Sequence, residues 1–244
     1  AAKPDGICVM GHPGDVGLDL LIDEAFSKGI IVTSQNTELP KAYEKYKAYG
    51  FGYVGQNLYQ AGYTLGGACA KRFNLKAGDR ALVYGLLAEE IRGLRSKGCV
   101  DSLKAAGLTV DYLEISADVD RDPALGTPIV AGYISAHPDV KLIITDHGGL
   151  TGTLTSYLKS AGKKPGEVIG AGFDLVSTTL DGIKEGYIGV TLDQQQYLQG
   201  YLPIQQICLT KKYGFSGLYI DTGGGLVDKT NVDPVVELAK KGIR

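Results

Sequence analysis

An α/β fold with a mostly parallel sheet is what this sequence predicts, on three observations. Short β-branched runs alternate with longer stretches at helical spacing along the chain, which is the rhythm of βαβ units. Runs such as IIVTS and LIIT are apolar on both faces, as strands covered by helices on either side must be. Glycine, at 35 of 244 residues, falls mostly at element ends rather than in tracts, and so reads as turns and helix stops.

Taken in order, the strands are read at 6–10 (GICVM), 30–34 (IIVTS), 51–55 (FGYVG), 80–85 (RALVYG), 109–115 (TVDYLEI), 141–145 (KLIIT), 167–172 (EVIGAG), 188–192 (IGVTL) and 217–221 (GLYID). Each is a short run rich in β-branched or aromatic residues and bounded by Gly, Pro, Asn or Asp. Helical patterns lie between them near 16–28, 41–48, 57–73, 89–106, 122–136, 148–162, 174–185 and 194–212, where apolar residues recur at three and four. GKKPGE at 162–167 and AHPDV at 136–140 are ordinary connections. Gly223, Gly224 and Gly225, after the last strand, read as a flexible crossing. No stretch reads as a long linker, so if the chain forms two lobes, several short crossings must join them.

Composition narrows the function classes. The length amounts to roughly one and a half domains of about 150 residues, so one large α/β domain or two small lobes both fit. Hydrophobic residues are 44% and charged residues 21%, which allows a packed core and excludes global disorder. Lys+Arg 25 against Asp+Glu 27 gives a net charge of -2, which argues against a nucleic-acid binder driven by a global basic field. No apolar run approaches the ~18 residues that a membrane-spanning helix needs. Ala-Ala-Lys-Pro-Asp at 1–5 abuts the first strand and is not a signal peptide; a mature exported protein would lack one too. Cys8, Cys69, Cys99 and Cys208 form no CxxC pair, which leaves buried free thiols as the main reading and a disulfide as the alternative.

Ligands in open α/β sheets bind beyond the carboxyl ends of the strands. The residues there are His12, Asn36, Gln56 and Asn57, Glu89 and Glu90, Asp118, Asp146 and His147, Asp174, and Asp193 with Gln194. Arg95 falls two turns into the helix after strand 80–85. Capping and turn formation explain Asp15, Asn57 and Asp118 individually. Arg95, His147 and Gln194 are poor caps, and they mix donors with acceptors. A sugar hydroxyl both donates and accepts, so a sugar site needs carboxylate, amide and guanidinium groups together. The GHPGDVG loop at 11–17 loosely resembles a phosphate cradle but is neither GxGxxG nor a Walker A motif. Gly148 and Gly149 suit either a close approach to a ligand or a permissive turn. HExxH, GxSxG and Cys-His arrangements are absent from the sequence, which weighs against an enzyme. His12 and His147 with Asp146, Asp174 and Asp193 could hold a metal or do acid–base work only if the fold assembles them.

In order along the chain, the segments KPDGICVMGHPGD, GIIVTSQNT, YVGQNLYQAGYTLG, GLRSKGCVDSLKAAG, AHPDVKLIIT, VIGAGFD, IKEGYIGVTLDQQQYLQG and GGGLVDKTNVD carry a resemblance to a family. The chain resembles the ribose-binding-protein-like periplasmic sugar-binding proteins of ABC importers, whose fold is shared with the effector cores of LacI-type repressors. The resemblance covers essentially the whole chain; VIGAGFD followed by IGVTLDQ is its most specific part. It implies a type I periplasmic binding fold: two Rossmann-like lobes with mostly parallel sheets, joined by three hinge crossings near 55–57, 193–195 and 221–225. The lobes would be 1–55 plus 195–221, and 56–194 plus 222–244.

Two βα units that open the family's first lobe have no counterpart here, so the N-terminal lobe is expected to be incomplete, with an apolar sheet edge open beside strand 6–10. A homodimer or a separate N-terminal fragment would cover that edge. Residue by residue, the resemblance implies ligand contacts at His12, Asn36, Arg95, His147, Phe173, Asp174 and Gln194, with Val119 where ribose binders carry an aromatic. Trp is 0, so any aromatic platform must be Tyr or Phe. His12, His147 and Val119 depart from the ribose pattern and open the choice to a related pentose, hexose or polyol. The implied protein is a non-catalytic carrier without metal or cofactor. It takes a small sugar or polyol to an ABC transporter permease, binds no nucleic acid, and works in the periplasm or outside the cell as a secreted protein or lipoprotein. The alternatives are the effector core of a LacI-type regulator, which would need a DNA-binding headpiece, and a sugar-active enzyme.

Overall fold

The computed structural model describes residues 3–244; Ala1 and Ala2, where the first lobe's expected range begins, lie outside the described residues. The first ten elements run β1 (Gly6–Met10), α1 (Gly14–Ser27), β2 (Ile31–Asn36), α2 (Pro40–Tyr46), β3 (Gly52–Gly55), α3 (Leu58–Arg72), β4 (Arg80–Gly85), α4 (Gly93–Ala105), β5 (Thr109–Glu114) and α5 (Ala117–Arg121). The next ten are α6 (Thr127–Ala136), β6 (Val140–Thr145), α7 (Gly148–Ser160), β7 (Ile169–Phe173), α8 (Ser177–Glu185), β8 (Ile188–Asp193), α9 (Gln196–Tyr213), β9 (Tyr219–Asp221), β10 (Gly225–Asp228) and α10 (Asp233–Lys240). The chain divides into two compact units, 1–57 with 195–223 and 58–194 with 224–244.

The first unit holds a four-stranded sheet in the order β1-β2-β3-β9, parallel throughout. One face is closed by α1 and α2 through Ile22, Ala25, Val32, Leu39, Ala42 and Phe51. Asp15, in the first turn of α1, accepts backbone N–H bonds from Lys41 (3.1 Å) and Ala42 (3.0 Å). It therefore caps α2 rather than its own helix. Gly11 serves packing, since a Cβ there would overlap the carbonyl of Thr37; with Asp15 beside it, the loop at 11–17 is a structural corner and not a phosphate cradle.

The second unit holds six strands in the order β10-β8-β7-β6-β4-β5, parallel except for β10, which runs antiparallel to β8. Alternate residues of β4 serve opposite faces. Ala81 and Val83 pack with Leu65, Cys69, Cys99 and Leu103 of α3 and α4, while Leu82 and Tyr84 pack with Val130, Leu150 and Leu154 of α6 and α7. This two-sided burial is why the strands read as continuous apolar runs. Helices α3 and α4 cross closely over glycines. A Cβ on Gly62 would overlap the carbonyl of Arg95, and one on Gly98 would overlap the carbonyl of Tyr59.

Several sequence expectations are corrected. The crossing read through Gly223, Gly224 and Gly225 is shorter, because Gly225 opens β10, and the strand β10 and helix α10 were not foreseen. The helix expected from 89 begins at Gly93, since residues 86–92 form a turn closed by Gly93 N–H to the Glu89 carbonyl at 2.9 Å. Arg95 therefore sits in the first turn of α4, not two turns in. The helix expected over 122–136 breaks at its prolines: Pro123 starts a separate 3-10 turn and α6 starts at Thr127, because a proline lacks the backbone donor and is best accommodated in a first helical turn. Asp118 is not a cap; Ser116 caps α5, and Asp118 pairs with Arg121 on the surface. Val119 belongs to the core. All four cysteines are free thiols, but Cys208 is exposed rather than buried, and burial pushes the Cys69 thiol up to about 12.

Gly98→Ala is expected to push α3 and α4 apart and destabilise the protein by about 1–3 kcal/mol, the usual cost of overpacking. Chemical denaturation of the variant against the parent reads this directly.

Candidate functional site

Parallel strands of one sheet all end on one rim. In the second unit, β4 connects through α4 to β5 on one side, while the chain returns through β6 on the other side of β4. The gap beyond β4 and β6 is thus a topological switch point, where α/β sheets open a crevice. Asp146, just past β6, stitches the two strands together. Its Oδ2 accepts the Leu86 N–H at 2.7 Å and the Ser96 hydroxyl at 3.0 Å, and its side chain is almost wholly buried.

Around this point the structure gathers most of the residues singled out from the sequence. The Arg95 guanidinium donates to the Asp146 carbonyl at 2.8 Å and to Gln194 Oε1 at 3.4 Å. It also lies 4.5 Å from the centre of the Phe173 ring, a cation–π arrangement that braces the charge from a ring with no exposed surface. Gln194 Nε2 donates to Asp174 Oδ1 at 2.5 Å, and the Gly148 N–H, at the start of α7, also bonds this carboxylate. A Cβ on Gly148 would overlap Asp174 Oδ2, so the first glycine of the pair is there for a close approach. Arg95, Asp174 and Gln194 are 8%, 8% and 4% exposed; buried side chains that combine cation, anion and amide are unusual outside a site.

His147 extends the cluster. Its Nδ1 lies 2.7 Å from Asp146 Oδ1 and its Nε2 lies 3.6 Å from Asp120 Oδ1, while Asp120 is held bidentately by Arg92 at 3.1 Å and 3.1 Å. Arg92, Asp120 and Ser96 were missed by sequence reasoning; nothing in their local pattern distinguishes them from surface helix residues. Glu89 and Glu90 are exposed and outside the cluster.

Burial pushes the Asp174 carboxyl above the usual carboxylate range, against the opposing pull of the Arg95 charge, the Gln194 amide, His147 and the Gly148 N–H. The residue also has φ 75, a left-handed backbone that costs energy away from glycine. Asn36 and Gln195 share this conformation, with φ 68 and φ 55. Two of the four described non-glycine residues with positive φ, Asn36 and Asp174, are therefore residues that the sequence reading marked.

In the first unit, Asn36 and His12 meet: His12 Nε2 is 2.9 Å from Asn36 Oδ1. The Asn36 Nδ2 donates to Gln199 Oε1 at 3.0 Å, and Tyr53 fixes the Asn36 carbonyl at 3.1 Å. Gln199, buried in the first turn of α9, is a residue that sequence reasoning missed. Among the described residues, no group of three or more His, Cys, Asp and Glu side chains is placed to hold a metal ion, and no helix is long and apolar enough to cross a membrane.

A family model described as a periplasmic binding protein domain matches residues 1–210. The xylose/arabinose-binding protein XylF of Sulfolobus acidocaldarius is 28% identical over 225 residues, which cover 86% of this chain and 54% of that protein. The chain thus spans about half the length of the curated relative it matches. A carbohydrate transporter structure from Acidothermus cellulolyticus, in complex with myo-inositol, superposes with a TM-score of 0.79 at 27% identity, covering 99% of this chain and 80% of the other. An ABC transporter solute-binding protein from Burkholderia graminis, in complex with D-arabinose, gives 0.79 at 25% identity, covering 94% and 77%.

The direction of the Asp174 shift fixes a pH dependence. With its folded pKa raised, Asp174 stabilises the apo fold in its protonated form, fully below the unfolded value, and that contribution is lost as pH rises through the folded value. Asp174→Asn should therefore keep or raise the unfolding midpoint at pH 7 while weakening ligand binding. In the parent, affinity should fall on acidification from a higher pH than an ordinary aspartate (about 3.9) would allow, and the variant should lack that fall. Thermal unfolding at pH 7 and titration calorimetry across pH 4–8 check both.

Proposed function

Because this chain belongs to the periplasmic binding protein family, we propose that it is a carrier that captures a small polyhydroxylated solute, a pentose, hexose or polyol, and presents it to the permease of an ABC transporter. It binds and does not catalyse. The observation that carries this reading is the buried set of Arg95, Asp174 and Gln194 at the switch point of the second unit, braced by Phe173 and flanked by His147. A guanidinium donates only, a carboxylate accepts only and an amide does both, so a pair of neighbouring hydroxyls can be met in both directions. His12 and Asn36 of the first unit are assigned as further ligand contacts. The relatives' ligands, xylose or arabinose, D-arabinose and myo-inositol, are neutral, hydroxyl-rich molecules, the chemistry that this set suits. The family belongs to the periplasm or the cell exterior, and we propose that this chain works there as a secreted protein or lipoprotein.

Charge-assisted bonds contribute about 1.5–3 kcal/mol each. Arg95→Ala and Asp174→Ala should each weaken binding of the best sugar in a pentose, hexose and polyol panel at least tenfold, with the fold retained. Parent-like affinity for both variants in titration calorimetry contradicts the assignment.

A further polypeptide is proposed at the β1 edge of the first unit. β1 ends its sheet, and Val16, Leu20 and Leu21 of α1 stand beside it 86%, 84% and 62% exposed. Leu21 also lines a mostly apolar groove with Ile7, Val9, Leu18, Ile22 and Val32, with Glu24 and Lys28 on its wall. An unpaired apolar edge invites strand addition, from a second copy of the chain or a separate N-terminal piece. Sedimentation should show a homodimer or a two-polypeptide species; a strictly monomeric single chain contradicts this.

A further inference from the structure

Helix α9 carries an anomaly on the face that packs on the first sheet. Gln199 and Gln206 stand seven residues apart, two turns along one face, and are 1% and 5% exposed. Buried amides are usually bonded at both ends. Gln206 is bonded at one: its Oε1 accepts the Leu218 N–H at 3.0 Å, while its Nε2 has no partner among the described residues. Gln199 does something else: its Oε1 accepts from Asn36 Nδ2 at 3.0 Å, and its Nε2 donates to Thr222 Oγ1 at 3.0 Å.

Thr222 is itself pinned. Its N–H donates to the Gly55 carbonyl at 2.8 Å, and its carbonyl accepts from Gln195 Nε2 at 2.9 Å. It lies in the stretch where the chain leaves the first unit, as Gln195 lies where the chain enters it. Gln199 thus connects an anchored crossing segment to Asn36, and Asn36 to His12.

In the structure the bonds run one way along the series, with the Thr222 hydroxyl, which can donate or accept, in the accepting role. Gln199 gives its donor end to Thr222, so it turns its oxygen to Asn36. Asn36 must then point Nδ2 at Gln199 and Oδ1 at His12. Oδ1 only accepts, so His12 must supply the hydrogen from Nε2. The bond made at one ring nitrogen fixes the tautomer and leaves the other nitrogen as the acceptor of the neutral imidazole.

We propose that Gln199 is a positioning residue: held by Thr222, it fixes the direction of the Asn36 amide and, through it, the Nε2–H tautomer of His12, which then offers Nδ1 to a hydroxyl donor. The affinity consequence rests on the reading that Asn36 and His12 contact the solute; the tautomer does not. A solute hydroxyl meeting a mis-turned Asn36 amide or the wrong imidazole nitrogen faces donor against donor, so a residue without ligand contact controls affinity.

The test has two arms on the full chain. First, ¹H–¹⁵N correlation of the histidine rings at pH 8.5 in the ligand-free protein should show His12 as the Nε2–H tautomer in the parent and in Thr222→Ser, which keeps Oγ. A mixture of tautomers is expected in Gln199→Ala and in Thr222→Val. The Thr222 pair carries this arm if Gln199→Ala fails to fold. An unchanged His12 tautomer in the folded variants overturns the proposal, whether or not any sugar binds. Second, Gln199→Ala should weaken sugar affinity at least fivefold in calorimetry, with no further loss in an Asn36→Ala background and full additivity in an Arg95→Ala background. A Gln199 effect that persists undiminished in the Asn36→Ala background also overturns it.

Discussion

A carboxylate taken almost wholly out of water is the constraint around which the second unit is built. Asp174 cannot remain ionised there without donors, and the fold supplies them from separate elements: the Gln194 amide after β8, the Gly148 N–H at the start of α7 and the Arg95 charge from α4. Each donor in turn imposes a requirement. Arg95 needs α3 and α4 to cross over Gly62 and Gly98. Gly148 must lack a side chain, and Asp174 must accept a left-handed backbone. If the cluster is the binding site proposed above, the arrangement places binding ahead of stability, the usual relation at functional sites.

The first unit works on a different principle. Its marked residues, an imidazole and an amide, are oriented by a one-way series of hydrogen bonds. Asn36, in its positive-φ position, is held by Tyr53 through its carbonyl and by Gln199 through its side chain. On the proposed reading, in which both clusters contact the solute, they would discriminate differently. Charged groups strengthen hydrogen bonds from any hydroxyl they face, whereas a directional amide series selects which hydroxyl must donate and which must accept.

The strand-end residues were legible in the sequence because parallel strands covered on both faces leave an unmistakable apolar run, and the residue after each run must lie on the rim. VIGAGF followed by Asp174, and IGVTLD followed by Gln194, could be read for that reason. The starts of helices were less legible. Residues 86–92 and 174–176 are turns whose composition matches a helical period, and Pro123 and Pro128 divide one apparent helix by removing backbone donors. β10 was hidden because Gly223, Gly224 and Gly225 resemble a linker, while the pairing of Gly225 to Asp228 with β8 comes from the partner strand and not from local propensity. Gln199, Asp120 and Arg92 were illegible for the same reason: their roles are set by distant residues, 163 positions apart for Gln199 and Asn36.

The most direct measurement is a titration of isotope-labelled protein with pentoses, hexoses and polyols, following the Arg95 Nε–H, the Gln194 side-chain amide and the Gly148 backbone N–H by nuclear magnetic resonance. A sugar in the panel should shift all three signals with one common dissociation constant, since all three groups surround the Asp174 carboxylate. Saturable sugar binding that leaves these three signals unmoved, or a full panel to which none of them responds, would contradict the account.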